Sequence, residues 1–332
     1  MTDVARKAGV APMTVSRALR GDGYVVEEKK ERIINAAKEL GYVLNMSAGS
    51  LSSNKTNFVS VLIPSINNSN FSETVHGIAE VLHSKGMQIL FGYTDYSMEN
   101  EEHIISTMLK RRPEGIILTG GVHTDQARNL LKNAHIPVVE IWDLPEKPIN
   151  HAVGFLNSRT IEDMMARLLF LGYRNIAFLG GDEGGDNRGR ERRLGYERAV
   201  KTLGLDKSCV IPLGPPPITM MHGKEGIIRL IKEWPEVDAV VCVSDLPAFG
   251  AIMECQRQGW KVPERLAVAG FGDFEVSSFS CPSITTINVG CAELGRNAGE
   301  IMAKAIEGIR CKTPISPQII TTPHTVIERE ST

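Results

Sequence analysis

Between Pro12 and Arg20 the chain reads PMTVSRALR. Wound as a helix, this segment puts Val15, Ala18 and Leu19 on an inner face at i, i+3, i+4 spacing. Met13, Thr14, Ser16, Arg17 and Arg20 then face outward. Hydroxyls and cationic heads so placed suit the phosphates of a duplex, and an arginine can fork onto the O6 and N7 of guanine in the major groove. On spacing alone, the same face also fits the solvated surface of a plain three-helix cap. The neighbouring residues must hold this helix in place. Thr2 or Asp3 can cap an earlier helix running to about Ala8, with Val4, Ala5 and Ala8 on one face. Gly9-Val10 breaks that helix, and Pro12 suits a first helical position. A third helix is expected over about Glu27–Leu40, with Ile33, Ile34, Ala37 and Leu40 inward and Gly41 as its stop. Two short helices joined by a glycine-bearing turn make a helix-turn-helix.

Other chemistry was sought along the chain. Gly180–Gly189 (GGDEGGDNRG) follows a strand pattern, as a phosphate loop would. It contains no G-x-G-x-x-G, and Asp186 rather than lysine follows Gly185, so a loop-to-helix connection is expected. There is no G-x-S-x-G elbow and no H-E-x-x-H. His76 and His83 share a helical face without a third ligand nearby. The cysteines (Cys209, Cys242, Cys255, Cys281, Cys291, Cys311) form no C-x-x-C pair, which points to reduced, mostly structural thiols. No catalytic constellation, cofactor or metal site is expected.

The chain has 332 residues with Lys+Arg 37 against Asp+Glu 39, a net charge of −2. A globally basic nucleic-acid binder is excluded, while a local one is not. The segment before Thr56 is mildly basic and the remainder acidic. No signal-peptide pattern precedes the first helix, and the longest apolar runs, such as Val59–Pro64, are far short of a membrane span. A cytoplasmic protein with no membrane partner is expected.

From Phe58 onward, strand-like apolar runs alternate with helical patterns. Strands are expected at Phe58–Ile63, Gln88–Tyr93, Gly115–Leu118, Val138–Ile141, Asn175–Leu179, Ala239–Val243 and Ala267–Gly270. Helices are expected between them, and again over Ala292–Ile309. Such alternation means an α/β fold of parallel sheets covered by helices on both faces. The stretch is long for one sheet, so two lobes are expected.

Asp3-Val4-Ala5, Ala8-Gly9-Val10, Thr14-Val15-Ser16-Arg17, Leu40-Gly41-Tyr42 and Asn45, in this order, closely resemble the DNA-binding head of the lactose-repressor (LacI-type) family. The resemblance implies that Thr14 and Ser16 hold phosphates, that Arg17 contacts a base, and that Pro12 and Met13 set sequence preference. Ala11 and Val26 stand where the family has capping residues. The resemblance makes residues 1–45 the head and 46–57 a hinge whose Leu51 wedges into the minor groove. An inserted apolar side chain unstacks a base step and bends the duplex. Residues 58–332 then form a two-lobed, periplasmic-binding-protein-like core. Pro282-Ser283-Ile284-Thr285-Thr286 resembles the family's return crossing. Lobe 1 is expected over about 58–153 and 283–312, and lobe 2 over about 154–282 and 313–332.

Ligands in such folds sit beyond the carboxyl ends of strands, here between the lobes. The family's positions map onto Ser65, Asn67, Asn70, Phe71, Glu140, Trp142, Arg192, Ser244, Asp245 and Asp273. Asp245 fits a helix cap as well as a ligand contact. Arg192 matches the family's ligand-gripping arginine, and Gly272 stands where the family has an aspartate. An arginine without that carboxylate favours an anion over a neutral sugar. Ile136–Asp143, Ala152–Phe155 and Glu254–Gln258 resemble the gluconate-repressor branch, implying a sugar acid. The implied protein is a homodimeric regulator on a near-palindromic operator. A purine or phosphosugar corepressor, or a solute-binding transport protein built on the same core, are the alternatives.

Overall fold

The computed structural model describes residues 1–20, 24–43, 55–181 and 186–332, the side chain of Arg20 excepted. The chain divides into two units, Met1–Thr56 and Asn57–Thr332.

The first unit is helical: α1 (Thr2–Ala8), α2 (Pro12–Arg20) and α3 (Glu27–Glu39). Its core is Val4, Ala5, Ala8, Val15, Ala18, Ile33, Ala36 and Ala37. Met1, not Thr2 or Asp3, stands at the N-cap of α1 and makes no side-chain cap bond. Gly9 ends α1 in the left-handed conformation, φ 64°, which costs glycine little. Ile34 and Leu40, expected inward, are each 45% exposed; Ala36 takes the inner position instead. Val26 gives α3 no side-chain cap, and Glu27 and Glu28 in its first turn interact favourably with the positive end of the helix dipole.

In the second unit, six parallel strands stand in the order β11-β5-β4-β3-β1-β2 and four in the order β7-β6-β8-β9. The first set comprises β1 (Phe58–Ile63), β2 (Gln88–Tyr93), β3 (Gly115–Thr119), β4 (Val138–Ile141), β5 (His151–Gly154) and β11 (Ile319–Thr321). The second comprises β6 (Ile176–Leu179), β7 (Val210–Ile211), β8 (Ala239–Cys242) and β9 (Ala267–Ala269). Central strands are mostly apolar because helices cover both faces; all four residues of β8 (AVVC) and of β4 (VVEI) are buried, Glu140 included. Edge strand β2 is only half covered. An antiparallel ribbon of β10 (Thr286–Asn288) and β12 (Thr325–Ile327) lies at the crossings between the sheets.

The tail departs from expectation. Ile319–Thr321 does not go to the second lobe; it pairs with Ala152–Gly154 and extends the six-stranded sheet. The open edge of β5 needs a partner, and β5 was not singled out as a strand because it is four residues long and ends in glycine. Only the last residues reach the second sheet, where Ser331 exchanges hydrogen bonds with Val268.

Helix α4 (Ser69–Ser84) opens just past β1, and α12 (Cys291–Arg310) follows β10. They pack backbone to backbone. A Cβ on Gly77 would stand 2.2 Å from the Ala292 carbonyl oxygen, and one on Gly295 2.1 Å from that of Thr74. No helix among the described residues is long and apolar enough to cross a membrane.

Candidate functional site

In the helical unit, Pro12 takes the first position of α2, and the Ala11 carbonyl accepts from the amides of Thr14 and Val15 at 2.9 and 3.2 Å. The missing cap side chain is thus replaced by backbone alone. Pro12, Met13 and Arg17 are exposed, and Thr14 is half-buried. Ser16 is not outward as expected: it is 8% exposed. Helices α1 and α3 both pack on α2, so its buried arc is wider than the Val15–Ala18–Leu19 stripe and takes in the residue beside Val15. Asn45 and Leu51 lie outside the described residues.

In the larger unit, loops at the carboxyl ends of both sheets meet around a row of rings. Phe71 lies edge-on to Trp142 at 5.1 Å, Trp142 to Phe155 at 5.8 Å, and Phe155 approaches Phe271 at 6.1 Å. Trp142 sits just past β4 with φ 70°, and its indole N–H donates to Thr74 Oγ1 at 3.1 Å. Asn68 caps α4 by accepting from the Asn70 amide. The Asn70 side chain then donates from Nδ2 to the Gly272 carbonyl, 2.7 Å away, joining the loop after β1 to the loop after β9. Gly272 has φ 118°, and a Cβ there would stand 2.6 Å from Asn70 Nδ2, so only glycine permits this bond.

These loops surround a small cavity of about 60 Å³ lined by Asn70, Phe71, Tyr96, Arg188, Arg192 and Phe271 among others. A second cavity, also of about 60 Å³, shares Tyr96, Asp186 and Arg188 with it. The two arginines stand four residues apart on α8 (Asn187–Thr202), hence on one face. Arg192 lies flat over the Phe271 ring at 3.5 Å. It donates from Nε to Asn157 Oδ1 at 3.0 Å and from Nη1 to the Val243 carbonyl at 2.9 Å. Burial lowers its pKa to about 10, so it remains a cation at neutral pH. Arg188 donates from Nη2 to Asp186 Oδ1 at 3.1 Å and stands 5.2 Å over the ring of Phe71.

Of the residues expected in the pocket, Asn70, Phe71, Trp142, Arg192 and Ser244 line it; Ser65, Asn67, Glu140, Asp245 and Asp273 do not. Ser65 accepts from the Asn67 amide in a local turn, and Asn67 is exposed. Asp245 is fully buried: it accepts from Thr286 Oγ1 at 2.6 Å and the Phe274 amide at 2.8 Å, pinning the loop after β9. Burial pushes its carboxyl up to about 7, against the pull of those two bonds. Asp273 is clamped by Arg329 at 2.6 Å and by Asn288 at 2.8 Å.

Glu140 points to the other face of its sheet. It accepts from the Ile149 amide at 2.5 Å and lies 3.4 Å from His123 Nε2, while His123 Nδ1 meets Glu101 at 2.6 Å. Burial by itself would lower the His123 pKa; the hydrogen bonds and charges of Glu101 and Glu140 outweigh it and raise the value to about 9. A pKa raised by folding means that protonated His123 stabilises the fold fully below about 6.5, its unfolded value, and that this gain is lost as pH rises through about 9. The thermal midpoint is therefore expected to fall between pH 6.5 and about 9, and His123→Gln to flatten that decline. An unaltered slope in the variant would refute the assignment.

Tyr96, Asp186, Arg188 and Phe274 line the pocket without having been singled out. Tyr96 was accessible to the rule that ligands sit past strand ends, since it follows β2. Arg188 was accessible from its i, i+4 spacing to Arg192.

The N-terminal residues 1–45 match the model of the bacterial regulatory proteins of the lacI family, and residues 165–332 match a periplasmic binding protein-like domain. The chain is 37% identical over 308 residues to the HTH-type transcriptional regulator GntR of Pseudomonas aeruginosa, covering 93% of this chain and 89% of that one. Identity to the regulator of the same name from Escherichia coli is 33% over 308 residues, 93% of this chain and 92% of the other. A crystal structure of a LacI-family transcriptional regulator from Silicibacter pomeroyi superposes with a TM-score of 0.90 at 34% identity, covering 99% of this chain and 98% of that one. With a helix-turn-helix head, an α/β core whose pocket lies at strand ends, and this identity over nearly all of its length, the chain belongs to the lacI family and is a DNA-binding transcriptional regulator, not an enzyme.

Proposed function

We propose that the protein is a homodimeric repressor released from a near-palindromic operator by a small sugar acid bound between the core lobes. Pro12, Met13, Thr14, Arg17 and Arg20 of each head meet one major-groove half-site, since operator symmetry mirrors protein symmetry. Asn45, at the end of the head, contacts the DNA, and Leu51, within the hinge 46–57, wedges into the minor groove between the half-sites. The half-covered edge strand β2 exposes Phe91 and Tyr93, 41% and 49%, which supports coverage by a second copy. Lobe 1 comprises about 58–154 and 286–321, and lobe 2 the rest of the core, in keeping with the strand pairing. A cytoplasmic location follows from a DNA target.

The observation that carries the effector class is the charge of the pocket. Among the described lining residues, Arg188 and Arg192 face it against the carboxylate of Asp186. The rings of Phe71, Trp142 and Phe271 offer apolar faces to the carbon chain of a polyol. An effector acts only by binding one arrangement of the lobes more tightly than the other. The Asn70–Gly272 bond is formed when the two loops approach, and it belongs to the closed arrangement. Fluorescence anisotropy on a palindromic operator at fixed salt tests the reading. Gluconate is expected to weaken operator binding by at least about tenfold, the ratio that 1.4 kcal/mol of differential binding confers. Tighter binding with a purine or phosphosugar would favour the corepressor reading instead, and indifference to every sugar acid would overturn the effector assignment.

A further inference from the structure

The two arginines of the pocket are not equivalent. Arg192 gives two of its donors to the protein, one more than Arg188 does. Its Nε and Nη1 donors go to Asn157 and Val243, and its plane is stacked on Phe271. Asn157 in turn donates to the Trp142 carbonyl at 3.0 Å. Arg192 thereby ties α8 to the start of α7 (Asn157–Phe170), to the end of β8 and to the loop after β4. Arg188 is as deeply set, 6% exposed against 7%. Yet its one hydrogen bond is to Asp186, and the rest of its guanidinium edge borders both cavities.

A planar fork with open donors, desolvated at a cavity wall, is the arrangement that recognises a carboxylate. The charge count narrows the ligand further. Among the described lining residues, two cations against the carboxylate of Asp186 leave an excess of one positive charge, which matches a monoanion better than a phosphate dianion. Resting on the reading of the cleft as an effector site, we propose that Arg188 selects the acid: its open edge takes the carboxylate of a singly charged sugar acid, while Arg192 is a positioning residue that holds the aromatic floor. The ligand carboxylate then sits where the two cavities meet, beside Tyr96, and the polyol extends over Phe71 and Trp142 toward Ser244.

Calorimetric titration of the full chain with gluconate, glucose and 6-phosphogluconate tests this, with Arg188→Gln, Arg188→Lys and Arg192→Lys beside the parent. The parent is expected to prefer gluconate to both others. Arg188→Gln is expected to lose at least tenfold in gluconate affinity with little change toward glucose, so that the preference collapses. Arg188→Lys keeps the charge without the fork and is expected to fall between. Arg192→Lys is expected to lower the thermal midpoint and to weaken gluconate and glucose alike. A parent that binds gluconate and an Arg188→Gln chain that binds it equally well would overturn the proposal alone. So would an equal loss toward gluconate and glucose in folded Arg188→Gln and Arg188→Lys, since that marks a structural role. A parent that binds no sugar acid would overturn the effector class and the proposal with it.

Discussion

Replacing Gly77 with alanine is expected to lower the thermal midpoint of the core by about 6–12 °C. The added Cβ would stand 2.2 Å from the carbonyl oxygen of Ala292 and 3.0 Å from the amide nitrogen of Arg296. Both are backbone atoms of α12, so no side-chain rotation relieves the contact. The helices must move apart, and overpacking of this kind costs about 3 kcal/mol, which shifts the midpoint of a chain this size by roughly 2–4 °C per kcal/mol. Gly295→Ala makes the same demand at the neighbouring point of contact, where the Thr74 carbonyl oxygen is 2.1 Å from the added atom. Once the helices have separated, the second substitution costs less, so the pair is expected to be sub-additive. The displacement also reaches the pocket, because α4 carries Asn70 and Phe71 in its first turn. A weakened response to effector is therefore expected alongside the lower midpoint. Midpoints within 1 °C of the parent for both single variants would show that the close approach carries little energy.

Arg17→Ala is expected to weaken operator binding by about 5- to 150-fold, the range of roughly 1–3 kcal/mol that one base-reading arginine supplies. Arg17 is exposed on α2, two residues from the buried Val15 and one from the buried Ala18, so its removal leaves the head core intact. The loss is expected to be larger on the preferred sequence than on random duplex. Thr14→Ala provides the contrast: a lost phosphate contact weakens all sequences about equally. Binding curves for both variants on a selected operator and on random DNA distinguish the roles. An Arg17→Ala chain that loses the same factor on both would reassign Arg17 to the backbone.

Much of this was legible before the fold. The strand positions were, because a buried parallel strand reads as a nearly continuous apolar run, as Ala239–Cys242 does. Phe71 and Trp142 were placed at the pocket by their resemblance to the family's cleft positions, and both line it. The errors share one origin. Ser16 was assigned outward from one helical stripe, whereas two neighbouring helices bury it. Asp245 and Asp273 stand past strand ends like ligand contacts, but Thr286 and Arg329, distant in the chain, occupy their oxygens. Glu140 lies in a strand whose two faces alternate, and one face leads to His123 rather than to the cavity.

The amino-acid order alone determined the architecture: a three-helix head and a two-lobed α/β core, with a pocket at strand ends. Periodicity, caps and breakers act over a few residues, and those suffice to set elements and their faces. Only the tertiary structure decided which polar side chains remain open to a ligand. Arg192 and Arg188 differ by one helical turn, yet Asn157 and Val243 take two donors of the first, whereas the second gives one to Asp186 and turns the rest of its edge to the cavity. A hydrogen bond already made within the protein is not available to a ligand, and its partner lies far away in the chain, where no local pattern records it.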